Sequence, residues 1–461
     1  MRSVRWAEQE FGQAKLGDDR RRQRLVAVAA RVASSPAGRV TQVFSDSAER
    51  EGTYRFLEND AVPVPEIARA AHGAAARRCQ GAEFAWVPVD GSSLNLPDPD
   101  RRKGLGVVGA RSIGAQGLQV MTAIAVRPDG TPAGLVGQRF WARPKRSKAK
   151  KNDRRTVGDK ETRYWLDVMS QTRQAFAAEA SPVRPWFQLD RGGDAWPVLL
   201  DALDTQSLLT VRAAHDRRLM GTVDGEREYL WPTLEARRPA AHYDLEIPAG
   251  PNRQARMARM AIQFCRVVLD LRDPRTKRQR FAPLWAVRTR EAGTTPTGEE
   301  PIEWLLLTTF PVTDVAAAKL VIAGYATRWR IEEFHKAWKS GACNVEDTLL
   351  EGRDSIERWA TILASVAMRI VRLTYLARVT PEAPATDELT RPEIDAVILL
   401  KRPRGVRRGA TPTVAEVTRW IADLGGYVGK SSGGPPGAIV IARGLRRIEP
   451  IATVLDGGAE L

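Results

Sequence analysis

One run, Tyr325-Ala-Thr-Arg328-Trp-Arg-Ile-Glu332-Glu-Phe-His335-Lys-Ala-Trp338-Lys339, constrains this chain more than any other stretch. No Pro or Gly interrupts it after Gly324, and its residue types separate at the helical period of ~100° per residue. With Tyr325 as origin, Arg328, Glu332, His335 and Lys339 fall within roughly 80° on one face. Ile331, Phe334 and Trp338 fall opposite, as a core-facing stripe. The polar face strings a phenol, a guanidinium, a carboxylate and an ammonium over about four turns. A solvated face laced with ion pairs has the same look, since Arg328 and Glu332 lie four apart. The other use of such a set is a metal beside phosphates, with the carboxylate as a hard oxygen ligand and the cations on phosphate oxygens.

Charge points the same way. Lys and Arg number 71 against 55 acidic residues, a net +16 over 461 residues. That favours a polyanionic partner, nucleic acid before an anionic membrane surface. The length allows two to four domains and a large core. Cys79, Cys265 and Cys343 are far apart without CxxC spacing, and the histidines do not cluster. Neither a disulfide framework nor a zinc site is expected, and a reducing cytoplasm fits. No apolar segment follows Met1–Trp6 and no apolar run approaches the ~20 residues of a membrane span, so neither signal peptide nor membrane partner is expected.

Residues 1–70 are expected to be a helical module. Asp18 stands near the cap of a helix whose first turns carry Arg20, Arg21, Arg22 and Arg24. Arginines there oppose the helix dipole, and a phosphate backbone would explain them. Next, Phe84–Asp90 and Trp186–Asp190 each read as a buried strand ending in a carboxylate. Between them, Leu118–Val126 and Ala133–Trp141 flank Pro128-Asp129-Gly130 as a hairpin, and Lys160–Phe176 looks helical. The run Lys145–Arg155 holds seven cations and one acid, a loop suited to phosphate. A helix near Ala195–Leu203 and a strand Ser207–Arg212 follow. Strand, hairpin, helix, strand, helix, strand is the order of an α/β ribonuclease-H-like core, a mixed sheet with helices on both faces. Residues 213–302 read as a β-rich insertion, and Glu303–Thr309 returns to the core. The catalytic domain would span 71–345, and 346–461 is mostly helical, with Ile356–Arg378 strongly apolar-periodic.

In such a core the two strand ends and the helix carrying Glu332 converge. Asp90, Asp190 and Glu332 together could hold two divalent ions ~3.5–4 Å apart, one for the attacking and one for the leaving oxygen. Mg²⁺ is the expected ion, with Mn²⁺ able to substitute. A lone aspartate at a strand end is ordinarily a turn cap; two, in this order with the helix, favour a site.

Tyr, two residues, Arg, three residues, Glu, six residues, Lys is the spacing of the YREK signature. The run YATRWRIEEFHKAWKSGA resembles the bacterial cut-and-paste DDE transposases, the transposon-five transposase and its insertion-sequence-four relatives. The LGDDRR run and residues 45–59 resemble that family's N-terminal domain, which grips the transposon end. The resemblance implies a catalytic triad of Asp90, Asp190 and Glu332. It further implies DNA contacts by Tyr325, Arg328, Lys339 and Arg212, and a stacking platform at Trp304 for a base flipped out during hairpin formation. Arg20, Arg21 and Arg24 would meet the end duplex. A subunit contact is implied in 346–461, with a homodimer pairing two inverted terminal repeats before joining them to target DNA. One departure stands out: the family often has an acid-rich DRExD run where this chain reads Asp190-Arg191-Gly192-Gly193-Asp194, and two glycines suggest a looser turn. Ser92 could support Asp90 or touch DNA. Two other readings compete, a catalytically silent DNA-binding regulator and a ribonuclease-H-like nuclease or resolvase. An intact triad opposes the first, and family-like terminal regions oppose the second.

Overall fold

The computed structural model describes residues 3–109, 114–143, 156–223, 226–247, 249–250, 253–273, 275–429 and 434–457. The basic run 145–155 and, within the Gly-rich run 425–437, residues 430–433 lie outside the described residues.

Five helices come first: α1 (Ser3–Phe11), α2 (Asp19–Ser34), the single turn α3 (Val40–Val43), α4 (Ser47–Leu57) and α5 (Val64–Arg78). Asp18 accepts from the Arg20 N–H at 2.8 Å and Asp46 from the Glu49 N–H at 2.9 Å. These caps satisfy donors that a first helical turn leaves open. Then come β1 (Phe84–Asn95), the short β2 (Gly106–Val107), β3 (Gln116–Val126), β4 (Pro132–Trp141), α6 (Thr162–Ala178), β5 (Arg184–Leu189), α7 (Trp196–Asp204) and β6 (Leu208–Arg212). The next stretch is β7 (Arg218–Val223), β8 (Glu226–Tyr229), α8 (Leu230–Glu235), β9 (Ala241–Ile247), β10 (Arg256–Arg272), β11 (Gln279–Glu291) and β12 (Glu303–Thr308). The rest is helical: α9 (Val315–Ala326), α10 (Trp329–Lys336), α11 (Arg353–Val379), α12 (Arg391–Lys401), α13 (Val414–Leu424) and α14 (Ala438–Asp456).

All the strands join one mixed sheet in the order β2-β3-β1-β5-β6-β12-β11-β10-β7-β8, with β4 on β3 and β9 on β10. Among the described residues only β1–β5 and β5–β6 are parallel. Residues 213–302, expected as a β-rich insertion, hold β7–β11, and these strands extend the sheet. The bridge is β12, which pairs with β6 on one edge and β11 on the other. Alternation sorts the strands onto two faces. Trp86, Val120 and Trp186 share one core with the N-terminal helices and α9–α14, while Val87, Met121 and Phe187 share another with α6 and α7.

Helix α11 ties the ends of the chain together. Buried Arg358 donates to Leu57 O at 2.7 Å and Val62 O at 2.6 Å, and Trp359 Nε1 donates to Gly38 O at 2.6 Å. The N-terminal helices therefore share their core with α11. Contrary to the reading that no apolar run approaches membrane-span length, α11 is long and apolar enough to cross a membrane. Its most apolar stretch is 89% buried inside the protein, so the apolar length is that of a central core helix.

Candidate active site

Strands β1 and β5 run parallel from Phe84 and Arg184 to Val89 and Leu189. There β5 stops, and Asp190 accepts the Gly192 N–H at 2.8 Å to open a 3-10 turn, Arg191–Gly193. Asp90, the next residue of β1, does not end its strand as expected. Strand β1 runs on to Asn95 because β3 still pairs with it, Asp90 opposite Thr122. What ends at Val89 is the parallel pairing, so both aspartates follow the last paired residues of neighbouring strands.

The Asp190–Asp194 turn is not loose, contrary to the expectation from its two glycines. Buried Asp194 accepts from Arg217 Nη2 at 2.6 Å and from the Ala214 N–H at 2.7 Å, which pins the turn. Gly193 is required by proximity: a Cβ there would lie 2.7 Å from Leu189 Cβ.

The helical run departs from one regular helix. Thr327 N–H donates to Gly324 O at 3.1 Å, Arg328 N–H to Tyr325 O at 3.0 Å and Arg330 N–H to Thr327 O at 2.9 Å, so the turns between α9 and α10 tighten. The Thr327 hydroxyl takes Gly324 O at 2.6 Å, competing for the carbonyl that would continue the ladder. At the other end Ala337–Gly341 widens into a π turn. Gly324 sits where a Cβ would come 2.6 Å from Trp86 Nε1, so glycine sets how closely α9 approaches the sheet.

These distortions still bring much of the expected face to the aspartates. Arg328 donates through Nη2 to Glu332 Oε1 at 2.7 Å, and its Nη1 lies 3.5 Å from Asp90 Oδ2. Burial, then the charge of Asp190, push the Asp90 carboxyl up from 3.8 to about 6, with Glu332 adding to the rise. The Arg328 charge and the Gly91 N–H oppose it. Lys339 Nζ lies 3.5 Å from Ser92 Oγ and 3.6 Å from Glu346 Oε1, so Ser92 sits with Lys339. His335, expected on the polar face, is buried beside Phe334. Burial and, less strongly, Lys339 hold its imidazole down to about 3, and Nε2 has no hydrogen-bond partner among the described residues.

Tyr325 is buried, its ring edge-on to Trp304 at 5.0 Å, and burial pushes its hydroxyl up. Trp304 lies on β12, half-buried, and Arg212 at the end of β6 donates to Glu303 O at 2.9 Å. Trp304, Arg212, Arg191, Arg253 and Arg288 line a cleft of about 780 Å³. The sequence reading overlooked Trp329, which is 59% exposed beside Arg328. A tryptophan outside the Ile331-Phe334-Trp338 stripe was the available signal.

In the N-terminal helices Arg20 and Arg24 are exposed. Arg21 and Arg22 have the structural rationale that dipole reasoning denied them. Arg21 Nη1 donates to Leu16 O at 3.0 Å, and Arg22 pairs with Asp19 at 2.6 Å and Glu8 at 2.9 Å.

Among the described residues no three carboxylate, imidazole or thiol groups are drawn together tightly enough to hold a metal as they stand. The donor set nonetheless suits a hard cation. It is all oxygen, its mutual repulsion registers at Asp90, and a guanidinium now supplies the positive charge between Asp90 and Glu332.

Carboxylates beside guanidinium groups in a chain of net charge +16 suit phosphoryl transfer on a polyanion. Residues 137–369, just over half of the chain, match the transposase DDE domain, and residues 3–62 match the transposase DNA-binding domain. The chain belongs to the DDE transposase family and is a DNA-binding transposase. Asp190 and Glu332 fall inside the DDE match, and Asp90 lies before it.

Proposed function

We propose that this protein is a cut-and-paste transposase of the YREK group, with a ribonuclease-H-like core and Asp90, Asp190 and Glu332 as its triad. The observation that carries the reading is the Arg328 guanidinium standing between Asp90 and Glu332 while Asp190 raises Asp90. Residues from β1, the end of β5 and α10 act on one another there, although they are far apart in sequence. The three carboxylates would hold two Mg²⁺ ions, which supply the charge that activates an attacking oxygen and steadies a leaving one.

The remaining residues position DNA. Arg328, Lys339 and Arg212 meet phosphates of the cleaved end, and Tyr325 presents its phenol beside them. Arg328 would exchange its carboxylate partners for phosphate when the cations arrive. One strand is cut, and its 3′-hydroxyl attacks the opposite strand to form a hairpin. The hairpin is then opened and the freed end joined to target DNA. Trp304, on the wall of the 780 Å³ cleft, receives a base flipped from the strained hairpin, a stacking worth ~1–3 kcal/mol. Residues 1–70 bind the terminal repeat, 71–345 cut it, and 346–461 help to pair two subunits as a homodimer.

The test is cleavage of a duplex carrying the element's own terminal repeat. Mg²⁺ or Mn²⁺ should support nicking and EDTA should abolish it. Glu332→Gln should still shift the duplex in a gel and lose nicking by at least 100-fold. Wild-type nicking by Glu332→Gln, or nicking undiminished in EDTA, would refute the assignment.

A further inference from the structure

Charged groups of the C-terminal helices are largely spent on one another. Arg369 pairs with Glu393, Arg372 with Glu388, Arg391 with Asp395, and Lys401 and Arg419 both with Asp423. The loop leaving α12 breaks this pattern. Arg402, Arg404, Arg407 and Arg408 are exposed, and their side chains make no ion pair or hydrogen bond among the described residues. No acidic residue occurs between Asp395 and Glu416, so the sequence supplies no local counter-charge.

The loop is shaped rather than slack. Arg402 (φ 50°), Gly405 (φ 79°) and Gly409 (φ 95°) hold left-handed backbone, uncommon for an arginine. Val406 N–H donates to Pro403 O at 3.2 Å and Ala410 N–H to Arg407 O at 3.0 Å, closing two turns. Its far end is fastened to α12. Arg391 donates to Ala410 O at 2.7 Å and Asp395 accepts the Gly409 N–H at 3.2 Å. The neighbouring arginine and acid are thus used to fix the loop, and the four outer guanidinium groups are left over. An ordinary solvated charge run needs neither the turns nor the fastening. Guanidinium groups on a fixed frame suit phosphate oxygens, which they meet bidentately whatever the base sequence.

We propose that residues 402–408 form a second DNA-contact surface, which holds the backbone of the target duplex while the N-terminal helices hold the element's end. This rests on the transposase reading above, because strand transfer requires two duplexes. The loop lies beyond both matched segments, 3–62 and 137–369, so the matched DNA-binding domain does not account for it. A target of no fixed sequence asks for phosphate contacts alone.

The test uses the full chain with Arg402→Ala, Arg404→Ala, Arg407→Ala and Arg408→Ala combined, and a duplex lacking the terminal repeat as probe. Affinity should fall at least tenfold. The slope of log affinity against log salt should flatten by up to ~3.6, at ~0.9 per lost contact. The matching four-lysine variant should restore most of both. Nicking of the terminal-repeat duplex should be unchanged, and joining to a plasmid target should drop with the binding. An unchanged affinity and slope on the unrelated duplex would overturn the proposal. So would a loss on the terminal-repeat duplex equal to that on the unrelated one, which would put the loop on the end. Should wild-type protein join no ends to plasmid, the transposase reading fails at that step, and the salt slopes alone decide whether the loop grips duplex DNA.

Discussion

Asp90 gives the most direct physical test of the site. Its carboxyl is held at about 6 rather than 3.8 because it is buried beside Asp190 and Glu332. A carboxyl whose value rises on folding contributes stability that is fully present below pH 3.8 and lost as pH climbs through about 6. At 1.36 kcal/mol per pH unit, that difference is about 3 kcal/mol lost by neutral pH. Asp90→Asn keeps the shape without the charge, and Arg328 keeps its 2.7 Å partner Glu332. The metal-free variant should therefore be more stable than wild type at pH 8 by about 3 kcal/mol and equal to it near pH 3.5. For 461 residues unfolding together at ~2.1 cal/mol/K per residue, the shift in Tm is about 3 °C. Thermal melts in EDTA across this pH range measure it. Added Mg²⁺ should reverse the order, stabilising wild type and leaving the variant unmoved. Parallel pH curves for the two proteins, or a variant less stable at pH 8 in EDTA, would refute the electrostatic account.

Three further outcomes follow from the packing. Arg20→Ala with Arg24→Ala should flatten the salt slope for end binding by ~1.8 with the fold intact, whereas Arg21→Ala should lower Tm, having lost its bond to Leu16 O. Gly193→Ala should cost ~1–3 kcal/mol in a denaturant titration, because its Cβ would lie 2.7 Å from Leu189 Cβ. Trp304→Ala should leave the first nick intact and impair hairpin formation, with rescue by an abasic site at the flipped position. Loss of both steps together with a lowered Tm would make Trp304 a core residue against Tyr325.

What was legible in the sequence was what local pattern controls. Trp186–Asp190 announced its strand because a short apolar run ended at a turn, and Pro128-Asp129-Gly130 announced the hairpin of β3 and β4. Helix α11 was legible from its period. What failed depended on partners distant in sequence. Strand β1 passes Asp90 through Gly-Ser-Ser, a run with no strand signal, because β3 supplies the pairing. How residues 213–302 join the sheet was not legible, because the pairing of β12 with β6 on one edge and β11 on the other leaves no local trace. The structural partners of Arg21 and Arg22, Leu16 O, Asp19 and Glu8, were missed because the reading weighed only the helix dipole against these arginines.

The run Tyr325–Lys339 departs from the uniform helix that its spacing suggests. A uniform helix would put Tyr325, Arg328, Glu332, His335 and Lys339 on one polar face. The protein tightens the chain around Thr327 and loosens it at Ala337–Gly341, deviations of opposite sense. Between them only α10 is regular, and it carries Glu332 and, at its cap, Arg328. His335 leaves that face for the core beside Phe334. Arg328 and Glu332 stay with Asp90, Tyr325 keeps Arg328 while its ring packs edge-on against Trp304, and Lys339 reaches Ser92 and Glu346 from the π turn. Each group thus keeps its sequence interval while serving a different neighbour. π turns recur at functional positions because an extra residue per turn re-aims a side chain without ending the helix.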